Sequence, residues 1–317
     1  MKLILEAVDK TEYSFEQVLE LDFTQTVGVP CDSISVRLKN ADMPKEIAGV
    51  KLYFNDEIVF NGYSDNQKVS CGDDGFETYI YARSGAAVLV DNEAEPFTYN
   101  MPTAKQLCYV FAKPLGFTDD LPVIESREKY EIQKGTTCYG AISGFVAMAA
   151  GKNICVMPDN CIKILEKSDD IKELPSHRLI SACAVINRSE PLTEIRFKKD
   201  SALAGYKTRM RSSVNETYGL TERIKYVNLS SLPQWQRDNT ILQTLKNSYE
   251  DYRMLEVTVA GYVSEPLLQR YSYHSRLGDY EDYVMTEKEY IVGANGEFTR
   301  LVLKKEIDIK EITYVAQ

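Results

Sequence analysis

A chain of 317 residues has room for two or three domains, and 44% hydrophobic with 26% charged residues is an ordinary globular composition. The formal net charge of −10 argues against a surface built to grip the outside of a nucleic acid or an anionic membrane. No apolar run approaches the roughly 18 residues of a membrane span, and MKLILEAVDK meets charge too early for a signal-peptide core, so folding in a cytoplasm is expected.

Residues 1–30 read as a strand, a polar turn at Asp9-Lys10-Thr11 and a second, less regular strand ending near Gly28-Val29-Pro30. Ile34, Val36 and Leu38 alternate with Ser33, Ser35 and Arg37, the period of two that marks a half-buried strand. Asn55-Asp56 separates Gly49 to Phe54 from Ile58 to Tyr63, a tight hairpin, and Gly72 to Gly75 is the next turn. Phe76 to Arg83 alternates again. The run Ala86 to Val90 loses that alternation before the charged stretch Asp91 to Glu95, so the sheet is predicted to end there.

From Met101 to Phe117 the period becomes helical, with Leu107, Val110, Phe111 and Leu115 on one face, Pro102 near the start and Pro114 and Gly116 at the end. A β-prone segment, Val123 to Ile132, leads to a second amphipathic pattern, Ile142, Phe145, Val146 and Ala149, closed by Gly151. Asn153 to Leu165 reads as a hairpin turning at Pro158-Asp159-Asn160. Strands are predicted at Leu192 to Phe197, Gly205 to Ser212 and Tyr218 to Val227, then a helix between Pro233 and Arg253. Further strands follow at Leu255 to Val259, Leu267 to Tyr273, Tyr283 to Met285, Glu289 to Val292 and Phe298 to Lys304. The fold class is therefore mainly β with an α+β insert. The expected domains are a first β-rich domain, a small barrel or sandwich, 1–96, a small α/β domain with its linker, 97–185, and a second β-rich domain, 186–317, with one inserted helix at about 233–253; the resemblance described below makes both β-rich domains β-barrel domains.

Familiar chemistry is missing. The sequence holds no GxGxxG opening a helix, no GxxxxGK[ST], no HExxH and no GxSxG. The pairs Asp73-Asp74, Asp119-Asp120 and Asp169-Asp170 fall in predicted turns or linkers, where solvation explains them better than glycosidase chemistry does. The histidines are His177, in a polar linker, and His274, in YSYHSR. Seven cysteines, at 31, 71, 108, 138, 155, 161 and 183, make an odd count without a CxxC, which fits reduced thiols and does not make a zinc site. No catalytic, cofactor-binding or metal-ligating residue is assigned, no cofactor is expected, and the interface residues are unknown. The compositional oddity is 21 tyrosines, among them Tyr271, Tyr273, Tyr280, Tyr283 and Tyr290. They suit a half-buried sheet face and an interface equally. Trp235 reads as a core plug or an interface anchor.

Four features in order resemble a known family: Asp32 to Leu38 (DSISVRL); Ile58 to Asp65 (IVFNGYSD); Tyr81 to Gly85 (YARSG) leading to Leu89-Val90-Asp91; and the helix, strand, helix, hairpin unit from Thr103 to Leu165. Together they look like the baseplate hub proteins of contractile phage tails and tailocins, the late control gene D-like group, related to the base of the type VI secretion spike. Leu255 to Lys305 resembles the family's last strands, with Leu277-Gly278-Asp279 where the family has a proline-glycine-aspartate turn. The resemblance implies two tail-tube-like barrels flanking a small α/β domain and a structural protein that is not an enzyme. It also implies a homotrimeric ring that binds the tail tube protein, the spike protein and other baseplate proteins. Such a ring sits in a virion or tailocin particle made in the bacterial host cytoplasm. It inserts into no membrane and recognises no nucleic acid specifically, and its acidic lumen lets DNA pass. The competing readings are a tail-associated cell-wall hydrolase and a monomeric carbohydrate- or peptide-binding module.

Overall fold

The computed structural model describes residues 1–40, 45–73, 75–126, 128–199, 205–212, 214–232, 234–309 and 312–315, with the backbone alone at 234–236, 239 and 312–315. Contacts group them into two compact units, which differ from the contiguous spans expected above. The first unit is 1–169 with 258–269 and 286–301; the second is 170–257 with 270–285 and 302–317. The first unit thus includes segments from the C-terminal third of the chain, because strand pairing joins residues more than 250 positions apart.

The first unit begins with β1 (Lys2–Ala7), β2 (Glu12–Phe15), β3 (Glu20–Thr26), β4 (Ser33–Asn40), β5 (Ile47–Phe54), β6 (Glu57–Gly72) and β7 (Gly75–Ser84). All neighbours are antiparallel, in the order β2-β1-β5-β6-β7-β4-β3. Alternate residues bury Leu3, Leu5, Leu21, Phe23, Ile34, Val36, Leu38, Val50, Leu52, Ile80 and Ala82 in one core, as the period of two requires. The first 30 residues make three strands where the sequence suggests two, because the polar segment Glu12–Phe15 pairs along β1. Residues 286–292, reached late in the chain, add to the free edge of β3.

That last strand shows how the sheet bends. It lies five strand steps from β5, a separation of about 24 Å in a flat sheet at about 4.8 Å per step. Yet the Tyr290 and Phe54 rings meet edge to face with centroids 5.0 Å apart. The sheet is curled into a half-barrel. Tyr262 stacks on Phe54 at 3.7 Å and stands edge-on to Tyr290 at 5.4 Å, so the seam of the curl is aromatic.

After β7 the run Ala86–Asp91 forms a short helix, α1, which buries Ala86, Ala87 and Leu89. Six residues are too few for a 3.6 period to show, so the sequence marks only the end of the strand. Then come β8 (Phe97–Asn100), α2 (Ala104–Phe111), β9 (Thr118–Asp120), β10 (Lys129–Ile132), α3 (Cys138–Ala150), β11 (Asn153–Val156) and β12 (Cys161–Leu165). A capping box starts α2: Thr103 Oγ1 accepts from the Gln106 N–H at 3.1 Å, and Gln106 Oε1 accepts from the Thr103 N–H at 2.9 Å. The helix predicted to reach Phe117 stops at Phe111, followed by a single 3-10 turn at Lys113–Leu115, because Pro114 supplies no amide donor. Gly151, at φ 63°, ends α3 as expected. Leu107, Phe111, Ile142, Phe145, Val146 and Ile162 are the centre of this module's core.

The second unit uses β13 (Ile171–Glu173), β14 (Leu179–Ile186), β15 (Glu194–Lys198), β16 (Thr208–Ser212), α4 (Val214–Tyr218), β17 (Ile224–Asn228), α5 (Gln234–Ser248), β18 (Arg253–Ala260), β19 (Arg270–Ser275), β20 (Gly278–Gly293), β21 (Gly296–Lys305) and β22 (Ile312–Val315). Strands β18, β20 and β21 have residues in both units. The two strands expected at 283–285 and 289–292 are one, β20, and residues 179–186, taken for linker, are β14. The strand expected from Tyr218 begins only at Ile224, after the helical turn α4. A four-stranded sheet, β17-β15-β16-β22, packs Ile195, Phe197 and Met210 against Ile241, Leu245 and Tyr249 of α5 and its end.

Tyr290 tests the seam. Tyr290→Ala should lower unfolding free energy by about 3–5 kcal/mol, the usual penalty for emptying a buried aromatic site. Tyr290→Phe, which loses only the 2.8 Å hydrogen bond to Glu297 Oε2, should lower it by about 1 kcal/mol. Urea titration of both variants reads the difference.

Candidate functional site

The joint between the curled sheet and the α/β module is built on β7 and its exit. Arg83 lies on β7 opposite Tyr63, next to a bulge in β6 where one extra residue, Asp65, enters the ladder. The guanidinium takes Asp65 through Nε at 2.5 Å and Nη2 at 3.1 Å, and Asp91 through Nη1 at 3.0 Å and Nη2 at 2.7 Å. Asp91 ends α1, where the helix dipole disfavours a carboxylate; its hydrogen bonds to Arg83 hold it below the usual range.

One residue beyond β7, Gly85 faces the turn of the β11-β12 hairpin. A Cβ at Gly85 would stand 2.2 Å from Asn160 Oδ1, and one at Gly62 would stand 2.1 Å from the Arg83 carbonyl oxygen. The Gly85 N–H donates to Asn61 O at 3.0 Å, and Asn61 Nδ2 donates to Pro158 O at 2.9 Å. YARSG and NGY are thus where the module's turn seats on the sheet. Close approach, not positive φ, calls for glycine here, since Gly85 sits at φ −50°.

A second polar cluster ties β4 to β20. Asp32 accepts from Gln25 Nε2 at 2.8 Å, and Lys288, 3% exposed, donates to Val263 O at 3.3 Å and Glu265 O at 3.0 Å. Desolvation pushes Asp32 up to about 6 and Lys288 down to about 8, and each charge partly offsets the other's shift. Asp32 opens the DSISVRL segment, whereas Lys288 is not singled out by its sequence context.

The chemistry considered from sequence is dispersed. Asp119 and Asp120 lie on exposed β9, not in a turn, beside Ile162 and Lys163 of β12; Asp73 and Asp169 are exposed, and Asp74 lies outside the described residues. His177 is exposed in a 3-10 turn. His274 has both ring nitrogens on carboxylates, Nδ1 at 3.1 Å from Asp279 and Nε2 at 3.1 Å from Glu281, and the Asp279 hydrogen bond raises its pKa. That pairing favours the doubly protonated ring and leaves neither nitrogen as a base for a serine. The cysteines with described positions are free thiols, and burial pushes Cys108 up to about 12. Of the tyrosines weighed for an interface, Tyr271, Tyr273, Tyr283 and Tyr290 are buried. They are core residues, and exposure could not be read from a period of two. The Trp235 side chain lies outside the described residues.

Exposed apolar side chains occur elsewhere, on the α/β module. Tyr99, Pro102, Tyr109 and Val110 line a shallow groove with Lys105, and Phe97 stands edge-on to Tyr99 at 5.0 Å. Beside it, the Met101 N–H donates to Glu128 O, so the alternation of the ladder turns the backbone groups of Thr98 and Asn100 to the outer edge of β8. Among the described residues no further strand pairs there. Such an edge beside apolar side chains can accept an extended segment.

Two outcomes test these contacts. Gly85→Ala should lose about 1–3 kcal/mol of stability, and adding Asn160→Gly should restore most of it, since that removes the obstructing amide and relieves φ 60° at Asn160. For Asp32, folding disfavours the ionised form, so the penalty is full above about pH 6 and gone below about pH 4. Asp32→Asn should therefore gain stability relative to the parent as pH rises from 4 to 7; melting temperatures across that window that stay parallel would refute the assignment.

No protein-family model matches the chain, and no curated protein matches it in sequence. Solved structures do match in fold. The 43 kDa tail protein of prophage MuSo2 from Shewanella oneidensis aligns with a TM-score of 0.78 at 13% identity, covering 96% of this chain and 97% of that one. A tail protein from Neisseria meningitidis gives 0.76 at 16% identity, covering 96% of each. The E. coli c3393 protein is a component of the type VI secretion system with structural similarity to the T4 phage tail proteins gp27 and gp5. It gives 0.54 at 9% identity, covering 93% of this chain and 77% of that one. The chain has the fold of phage tail proteins, the one its sequence resemblance implies.

Proposed function

We propose that the protein is a structural hub of a contractile phage tail or tailocin baseplate, three copies of which form a ring joining the tail tube to the central spike. The observation that carries this reading is the likeness to prophage tail proteins over nearly the full length of both chains, since a shared module alone would cover only part. In this reading each copy supplies two tube-like barrels, one begun by residues 1–96 and one carried by the C-terminal part of the chain, with the module of 97–185 between them in sequence. The acidic balance supports a lumen that lets DNA slide without sticking. Burial of the tyrosine cluster disfavours the carbohydrate- or peptide-binding alternative, which needs those rings on a surface.

Light scattering over a range of protein concentration and salt tests the reading. The expected mass is three times that of the chain, reached directly or as concentration rises, with threefold rings in electron micrographs. A strict monomer throughout, together with specific binding of a peptidoglycan fragment, would overturn it in favour of a binding module.

A further inference from the structure

The sheet β17-β15-β16-β22 has two very different faces. One, through Ile195, Phe197 and Met210, is covered by α5. On the other, β15 carries Glu194, Arg196 and Lys198, and antiparallel β16 carries Arg209 and Arg211 in register, Glu194 opposite Arg211 and Arg196 opposite Arg209. Glu194 is 1% exposed beneath these arginines. Its Oε1 is 2.5 Å from Arg196 Nε and 4.0 Å from Arg209 Nε, and its Oε2 is 2.7 Å from Arg211 Nε. Burial pushes the carboxyl up, and the hydrogen bonds from Arg196 and Arg211 overcome that and leave it below its ordinary value.

The cluster is short of negative charge. Three guanidiniums share the Glu194 carboxylate, with Glu222 adding a weaker negative field at Arg211, and Arg209 Nε is buried with no hydrogen-bond acceptor among the described residues. A buried donor without an acceptor signals a missing partner. The neighbouring surface is aromatic: Tyr226, 56% exposed, stands edge-on to Tyr206 at 5.4 Å, and Arg196 lies over the Tyr226 ring at 5.8 Å. Arginine and tyrosine on a flat sheet face are the side chains that protein interfaces favour.

We propose that this arginine face is one half of an interface between copies of this chain, receiving carboxylates from the next copy. The inference rests on the ring reading, because copies in a ring meet head to tail and present two different surfaces to each other. Charge favours this occupant. The chain totals −10 and the four clustered residues contribute +2, so the remainder carries −12 and offers carboxylates in excess. The same negative field opposes DNA as the occupant. With Nε of Arg196 and Arg211 held by Glu194, the outer guanidinium nitrogens are fixed on rigid strands, and little side-chain freedom is lost on contact.

The test is light scattering of the full chain beside Arg211→Glu and the milder pair Arg209→Gln with Arg211→Gln, each checked by circular dichroism for an unchanged fold. The expected result is an oligomer in the parent protein and, in the folded variants, a monomer-to-oligomer midpoint raised roughly tenfold or more. High salt should move the parent the same way. In mixed 14N and 15N copies, carbodiimide cross-links between copies should map to Lys198 or Lys207. Folded variants that still form the parent's oligomer would overturn the interface and leave the hub reading standing. A strictly monomeric parent would overturn the interface, and with specific binding of a peptidoglycan fragment it would overturn the hub reading as well. Binding of a short DNA duplex that Arg211→Glu abolishes would overturn the proposal by assigning the face to nucleic acid.

Discussion

The pairing of residues 286–292 with β3 is the constraint on which the first unit depends. Without it β3 has a bare edge, Tyr290 has no reason to meet Phe54, and Lys288 has no Asp32 nearby. The seam places Tyr290, Tyr262 and Val292, all from late in the chain, on a core otherwise built from the first 84 residues. The hydrophobic gain of that core therefore cannot be complete until the C-terminal part has been made and has folded back. Contacts this distant in sequence make closure slow, since loop entropy is lost before pairing returns anything.

Beside that seam the protein uses glycine and one arginine to seat the α/β module. Gly85 and Gly62 allow backbone and side chain to approach closer than any Cβ permits, and Arg83 binds a bulged aspartate on one side and a helix-ending aspartate on the other. Both devices rest on hydrogen bonds more than on apolar area. They fix orientation, which a hydrophobic contact alone leaves adjustable. The arginine face on β15 and β16 differs in kind: its charges are held in place by Glu194, and Arg209 Nε has no acceptor among the described residues.

Several features were legible before any coordinates. Alternation found β4, β7 and β18, the Asn55-Asp56 turn set the end of β5, and the helical period with its glycine stop found α3. The hairpin turn at Pro158-Asp159-Asn160 also stands where its residues place it. Motifs in order were enough to indicate the tail-protein fold. The sequence misplaced what depends on partners. Glu12–Phe15 is a strand because β1 lies beside it, residues 179–186 because β18 does, and the small α1 helix is held by packing of Ala86, Ala87 and Leu89.

The sequence by itself determined the alternation of its strands, the caps and stops of its longer helices, an acidic net charge and the absence of familiar catalytic motifs. All of these are local or additive properties, fixed by residue type and spacing. Only the tertiary structure decided which strands share a sheet, that C-terminal residues complete the first unit, and that most of the tyrosines weighed for an interface are core. It alone revealed that Glu194 is buried under three arginines and that Gly85 faces Asn160. Pairing, burial and charge balance depend on which distant groups come within a few ångströms, and a period of two or 3.6 carries no information about that.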